Sequence, residues 1–373
     1  MSLDREGATK QPLSPLNQVR KKNEPPPREV DWRSIRQVTV MAVGDIMTHD
    51  LNIELAFDKS TGEYDFFPYF ELTAPIFAQA DWVLGNLETR LAGEGARYTG
   101  YPLFNAPDQL AFALKKAGFS LVSTANNHCL DRGAAGIATT NETLSRAGLL
   151  HTGSFSDPED RNSIRMLRKN GLCLAVVAYT YGTNSRLAPR GRSYMVNVID
   201  PDAMAADFRR ARDEGADFTA CLIHFGQEYQ LFPNQAQKKL TDFLFSLGAD
   251  LVLGSHPHVV QPYRFSVFKD QGRVAVYSLG NFISNQQRKF TDLSVIFQAT
   301  LLKDSQGIKR VAGIKAVPIK VLRLVLEGRP TFRVFPMNAP FEFDAGWVPS
   351  CREIEDISAE FSSMKKHFRA YSS

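Results

Sequence analysis

Cysteine is scarce. There are four in 373 residues, at positions 129, 173, 221 and 351, with no Cys-x-x-Cys pair. No disulfide framework or thiolate zinc site can be read from that spacing. Cys173 and Cys221 sit inside apolar runs, as free thiols do, which fits a reducing compartment, and the expected location is cytoplasmic. A long apolar run is also missing: stretches such as Leu172 to Tyr179 fall well short of the ~20 residues of a membrane span, so no transmembrane segment is expected. No basic start followed by an apolar core and a small-residue cleavage site is evident. Charge of one sign is lacking, with 44 Lys and Arg against 40 Asp and Glu, a net +4. That balance gives no ground for a nucleic-acid partner, which calls for a clustered basic face. It leaves room for an anionic small molecule or polymer as substrate. Gly-x-Ser-x-Gly, Gly-x-Gly-x-x-Gly and P-loop patterns are all absent. The 26 Phe and 11 Tyr are dispersed, as core residues are, rather than grouped as a base-stacking platform.

What is present is a globular composition, 43% apolar and 23% charged, behind a different first segment. Residues 1–35 carry Pro12, Pro15, Pro25, Pro26 and Pro27 with few apolar residues. Such a segment buries too little surface to offset its ordering entropy and reads as a disordered tail. A single domain is expected over 36–345, followed by a helical extension over 346–373, its helix near Ile354 to Phe368.

Within the domain, short apolar runs alternate with helical patterns. The runs are Val38–Val43, Trp82–Leu84, Ser120–Ser123, Phe218–Ile223, Asp250–Leu253 and Val274–Leu279. Helical spacing covers Pro107–Lys116, Ala134–Ala147, Pro201–Glu214 and Asn234–Leu247, and the last three each have a Gly just past the end. The alternation predicts an α/β architecture. A hairpin over Ile164–Tyr179, turning at Asn170-Gly171, and strands over Ser294–Val325 predict antiparallel additions, which a two-sheet core with outer helices accommodates.

Nearly every apolar run ends in a residue that can bind a metal or move a proton: Asp45, Glu88, Asn127 with His128, His224, and His256 with His258. In open α/β sheets the carboxyl ends of strands form the ligand crevice. Four of the seven histidines fall in these loops. The sharpest unit is Gly254-Ser255-His256-Pro257-His258. Pro257 biases His256 toward extended torsions, and in extended backbone residues two apart project to one side, so the two imidazoles are expected to lie close together. Each candidate has a plainer role. Asp45 could cap a helix, and Glu88 could be a solvated loop charge. Asn126 and Asn127 could make Asx turns. Asn127 could instead ligate through its amide oxygen, with His128 donating a proton to a leaving oxygen. Asp131 could orient His128 or cap the following helix. Glu228 could accept the His224 N–H or be solvated. His49 reads as a rim or surface residue.

Together the loops resemble a known family. Val43-Gly44-Asp45-Ile46-Met47, Asn86-Leu87-Glu88-Thr89, Ala125-Asn126-Asn127-His128, His224-Phe225-Gly226-Gln227-Glu228-Tyr229, Gly254-Ser255-His256-Pro257-His258-Val259 and Tyr277-Ser278-Leu279-Gly280-Asn281-Phe282 are similar to motifs of the bacterial poly-gamma-glutamate capsule biosynthesis proteins, the CapA family. That family is itself similar to calcineurin-like dinuclear metallophosphoesterases. The resemblance implies a four-layer αββα sandwich and two divalent metal ions, of which Mn, Fe or Zn fit best. Carried over, Asp45 and His258 would serve one ion and Asn127, His224 and His256 the other. Glu88 would bridge them and His128 would be the general acid. Asn126, Asp131, Glu228 and Asn281 would support these side chains. Two positions depart from the superfamily: Met47 stands where Asp-x-His has its His, and the bridging position carries Glu rather than Asp. The activity implied is metal-dependent hydrolysis, phosphoesterase-like, with a role in capsule or poly-gamma-glutamate synthesis. The alternative is a non-catalytic, metal-binding accessory protein of envelope-polymer synthesis.

Overall fold

The structure is a computed structural model that describes residues 35–268, 271–326 and 328–337. The expected extension 346–373, and the tail apart from Ile35, lie outside the described residues. In chain order the strands of the first half are β1 (Arg36–Ile46), β2 (Phe57–Asp58), β3 (Glu63–Tyr64), β4 (Trp82–Leu87), β5 (Leu121–Ser123), β6 (Leu150–Thr152), β7 (Arg165–Lys169) and β8 (Leu172–Thr180). Those of the second half are β9 (Phe218–His224), β10 (Leu251–Ser255), β11 (Val260–Phe268), β12 (Gln271–Leu279), β13 (Asn281–Ile283), β14 (Leu293–Lys303), β15 (Lys309–Leu326) and β16 (Arg329–Pro336). The helices are α1 (Asp50–Ala56), α2 (Phe67–Phe70), α3 (Ala74–Phe77), α4 (Gln109–Ala117), α5 (Gly133–Arg146), α6 (Pro158–Asn162), α7 (Pro201–Asp213) and α8 (Gln235–Leu247).

Two sheets dominate. One has eight strands in the order β16-β15-β14-β1-β4-β5-β6, with β13 also pairing β1. The other has six, β11-β12-β10-β9-β8-β7. Alternate residues of each strand face opposite ways, and the burial follows that alternation. Val38, Val40 and Ala42 of β1 face Leu174, Val176 and Ala178 of β8 in the core between the sheets. Met41 and Val43, of opposite parity, pack with Leu110 and Leu114 of α4. On the second sheet's outer face Cys221 and Ile223 pack with Phe208 of α7 and Leu244 of α8. Helices thus cover both outer faces, and the four-layer αββα sandwich is the observed architecture.

The central strands read from the sequence are all present, as is the β7–β8 hairpin. The starts of α5 and α8 differ by one residue from those expected, and that of α4 by two. Pro107 precedes α4, whose N-cap is Asp108; a proline before the cap fixes the entry of the chain without removing a helical N–H. Helix ends follow the glycines: Gly118 and Gly248 both adopt the left-handed conformation that closes α4 and α8.

β1 runs parallel to β4, and β4 to β5, in the first sheet. β8, β9 and β10 are mutually parallel neighbours in the second. Their carboxyl ends therefore fall in two adjacent rows. Glycines permit the close approach there. A Cβ on Gly44 would lie 1.9 Å from the Gly280 carbonyl oxygen, and one on Gly254 2.1 Å from that of Tyr277. These glycines immediately precede Asp45 and Ser255. Gly44→Ala and Gly254→Ala are each expected to destabilise the protein by about 1–3 kcal/mol through overpacking against backbone. Denaturant unfolding checks this, and an unchanged midpoint would contradict the close approach.

Candidate metal centre

Asp45 ends β1, and in register it lies opposite Asn86 of β4 on one side and Asn281 of β13 on the other. His224 ends β9 opposite Ser255 of β10. Glu88, Asn126, Asn127 and His128 follow β4 and β5, and His256 and His258 follow β10. The two sheets bring these ends together in a site where every one of these side chains is buried.

Asn86 is the hub. Its Nδ2 lies 2.8 Å from Asp45 Oδ1, 3.4 Å from Glu88 Oε2 and 3.3 Å from His224 Nδ1, so one amide joins both sheets. Asn126 Nδ2 donates to Asn86 Oδ1 at 3.2 Å and to the Leu87 carbonyl at 2.8 Å. Asp45 Oδ2 accepts from the His256 backbone N–H at 3.2 Å and lies 3.1 Å from His258 Nδ1. His258 Nδ1 is also 3.0 Å from Asn281 Oδ1, which leaves Nε2 facing Glu88 Oε1 at 4.0 Å. His224 Nε2 lies 2.9 Å from Asn127 Oδ1 and 3.5 Å from Glu88 Oε1.

Among the buried side-chain atoms without a hydrogen-bond partner are two of the cluster, Glu88 Oε1 and His256 Nδ1. Leaving such groups unsatisfied is costly, and a cation between them would satisfy both. One set of donor atoms from Glu88, His256 and His258, and another from Asp45, Glu88 and His224, each lie within 4.8 Å of one another. Glu88 belongs to both. The residues fit divalent cations, with a mixed nitrogen and oxygen donor set suited to transition metals.

The electrostatics agree. Burial pushes the His224 imidazole well below its ordinary value, helped by the neighbouring His256 and His258. Burial likewise takes His256 down to about 3, with His258 adding to the effect. Both rings are then neutral, as ligands must be. Burial acts to raise Asp45, but the His258 hydrogen bond and charge outweigh it and hold the carboxyl well below its usual range. Burial, then the charge of Asp45, raises Glu88 well above its usual value. Without a cation the two carboxylates cannot both ionise cheaply, and a cation removes that conflict.

His128 stands beside the cluster. Its Nδ1 is 2.8 Å from Asp131 Oδ2, an oxygen that also accepts the Phe104 N–H at 2.8 Å. The Phe104 ring meets the imidazole edge-on at 4.7 Å. Asp131 thus orients His128, and the N-cap of α5 is Arg132, without a side-chain cap bond. Asp45 caps no helix either; α1 is capped by His49, with Asn52 Oδ1 accepting the His49 N–H at 2.9 Å. Met47 is buried and contributes no donor to either set. His49 is turned to Asn285, whose N–H it accepts at 3.2 Å.

Two expectations need correction. Glu228 is exposed and engages the Tyr229 hydroxyl; the partner of His224 Nδ1 is Ser255 Oγ at 2.9 Å. The loop after β9 turns away at once through Gly226 (φ +105°), which carries Glu228 off. His256 and His258 do approach, with ring centroids 5.9 Å apart, but not through extended backbone. His256 has φ +97° and His258 φ +58°, a strain of about 1–3 kcal/mol each that the surrounding hydrogen bonds hold in place. Sequence reasoning also missed Asn86, Ser255 and Tyr181 as members of the site. Tyr181 follows β8, and its ring lies 4.6 Å from that of His256 and parallel to His224 at 6.2 Å. Its place just past the end of the apolar run Leu172–Thr180 was the available signal.

A sandwich of two mixed sheets with a buried cluster of imidazoles, carboxylates and amides at facing strand ends is the class this geometry defines. Residues 39–286 match the model of the family described as bacterial capsule synthesis protein PGA_cap, and the chain belongs to that family. It is 28% identical over 305 residues to the PGA biosynthesis protein CapA of Bacillus subtilis (strain 168), spanning 80% of this chain and 78% of that one. It is also 28% identical over 300 residues to the capsule biosynthesis protein CapA of Bacillus anthracis, spanning 78% and 69%. Among solved structures it is similar to the calcineurin-like phosphoesterase YfkN from Bacillus subtilis (TM-score 0.46, 14% identity, 89% of this chain and 97% of that one). It is likewise similar to the NAD nucleotidase NadN of Haemophilus influenzae (TM-score 0.48, 10% identity, 89% and 68%). Among the described residues no helix is long and apolar enough to cross a membrane.

The pKa directions set a stability profile for metal-free protein. His256 (ordinarily 6.5, folded about 3), His49 (folded about 4) and His224 are all depressed. The folded state then binds fewer protons than the unfolded chain below pH 6.5, and stability is lost as pH falls. His151, also lowered by burial, adds to these three, while Glu88 and Asp250 (folded about 6), both raised by burial, act in the opposite sense, two groups against four. In chelator, Tm is expected to fall from pH 7 to pH 5, and His256→Gln should make the slope shallower. A flat or rising Tm would contradict the burial of neutral imidazoles. Separately, Asn86→Ala should cost about 1–3 kcal/mol in urea unfolding, since it strips donors from two buried carboxylates.

Proposed function

We propose that the chain is a metal-dependent hydrolase of phosphoester-type bonds acting on an anionic small molecule or polymer in capsule or poly-gamma-glutamate synthesis. The observation that carries this reading is the unpartnered Glu88 Oε1, buried and facing the Nε2 atoms of His224 and His258. Asp45, Glu88, Asn127, His224, His256 and His258 would hold the cations, two in number, with Glu88 shared. Divalent cations so held supply Lewis acidity toward the scissile group and a water of lowered pKa.

The chain's own residues do the rest. Asn281 and Asp45 fix the His258 ring through Nδ1, and Ser255 fixes His224 through Nδ1, so each presents Nε2. Asn126 holds Asn86, and Asn86 holds the carboxylates. Asp131 fixes His128 through Nδ1, which leaves Nε2 as the nitrogen that delivers a proton to the leaving oxygen. The Tyr181 ring covers the imidazoles of His224 and His256 from one side and limits water there.

Elemental analysis of protein purified without chelator, followed by turnover of an aryl phosphate with Mn²⁺, Fe²⁺, Zn²⁺ or Mg²⁺, tests the proposal. Bound metal with turnover supports it; bound metal without turnover supports the accessory role instead. His256→Ala should strip metal, and unchanged stoichiometry would remove it from the ligand set. His128→Gln should keep the metal and lower kcat about 10²–10⁴-fold on substrates with poor leaving groups. An equal loss on activated leaving groups would argue against a proton donor.

A further inference from the structure

The loop 284–292 leaves β13 beside the cluster and leads to β14. On its inner side it is tied to the site. Asn281 Nδ2 donates to Gln286 Oε1 at 2.9 Å, and Gln286 Nε2 meets the Tyr229 hydroxyl at 3.4 Å. The Tyr229 and His258 rings are 6.0 Å apart, and the Arg288 guanidinium lies over Tyr229, 4.2 Å from its centroid. Arg288 is therefore one aromatic ring away from a residue of the cluster. Tyr229 is itself anchored, since its backbone N–H donates to the Pro257 carbonyl at 2.8 Å.

The same loop walls a cavity completed by Val321, Arg323 and Phe332. Three cations border it: Arg288, Lys289 and Arg323, all exposed. None of them has a carboxylate partner among the described residues. Lys289 lies over the Phe290 ring. The one carboxylate in the wall, Asp292, is taken by Lys320 Nζ at 2.7 Å. Elsewhere some cations are paired: Arg161 and Arg210 share Asp207, Lys303 meets Asp217, and Arg264 meets Asp242. A cavity bordered by three cations without counterions attracts oxyanions, which arginine forks bind in bidentate geometry.

We propose that this cavity is a subsite for a second oxyanion of the substrate, adjoining the candidate metal centre. The molecule processed would then carry at least two anionic groups, one at the cluster and one at Arg288, Lys289 and Arg323. The inference rests on the hydrolase reading for what happens at the first group, but its test does not. Carboxylate and phosphate share the required chemistry, and the probes separate them.

Titration calorimetry on the full chain as purified would compare a glutamate pentamer, tripolyphosphate and orthophosphate, with wild type and the Arg288→Gln/Arg323→Gln double variant. Expected is a preference of wild type for one multiply charged probe over orthophosphate, and a loss of about tenfold or more of that preference in the variant, steepest at low salt. A response to the pentamer alone identifies a carboxylate subsite, and a response to tripolyphosphate alone a phosphate subsite. A preference ratio unchanged in the variant, or absent in wild type, overturns the proposal. Equal weakening of orthophosphate also overturns it, because the two arginines would then serve the cluster itself. If the preference and its loss are seen while wild type turns over no aryl phosphate with any metal, the subsite stands and the hydrolase reading falls. Thermal unfolding of the variant checks that both forms are folded.

Discussion

A single buried carboxylate oxygen organises this protein. Glu88 Oε1 has no donor, lies 3.5 Å from His224 Nε2 and 4.0 Å from His258 Nε2, and shares its surroundings with the carboxylate of Asp45. Two buried acids with one amide between them are an unfavourable arrangement in isolation. It persists because the sandwich surrounds it with the His224 and His256 imidazoles, kept neutral by burial, and with Asn86 and Asn281, which meet the carboxylates and the His258 ring. The donor atoms of the cluster lie close enough together that a cation could be held among them.

The sandwich makes this possible through close backbone approach. Gly44 lies against Gly280, and Gly254 against Tyr277, at distances that admit no Cβ. Between the sheets, Asn86 of one reaches His224 of the other at 3.3 Å. Strained torsions at His256 and His258 direct two rings inward from one short turn. Stability is given up locally so that the donors converge, and the large apolar core between the sheets carries that cost.

Much of the fold was legible. Runs such as Val38–Val43 and Phe218–Ile223 are β-branched or apolar on both faces, as strands buried between layers must be. Helices α5, α7 and α8 announced themselves by spacing and by a closing glycine. The site was legible in part, because chemistry at the carboxyl ends of parallel strands follows from topology. Asn86 and Ser255 stood within the family motifs but were given no role, for a physical reason. Their roles come from strand register, which sets Asn86 beside Asp45 and Ser255 beside His224, and a polar residue inside a strand end carries no periodic signal of its partner.

Local chemistry along the chain was sufficient to determine the alternation of strands and helices, the imidazoles, amides and acids at the strand ends, and the glycines that let them approach. Only the tertiary structure decided which side chain faces which. Glu228, four residues from His224, proved to be solvent-facing, while Ser255, thirty-one residues from His224 along the chain, took its place. The reason is that turns redirect side chains within one or two residues, through torsions such as those at Gly226, His256 and His258, whereas pairing between strands and packing between sheets set distances that sequence separation does not encode.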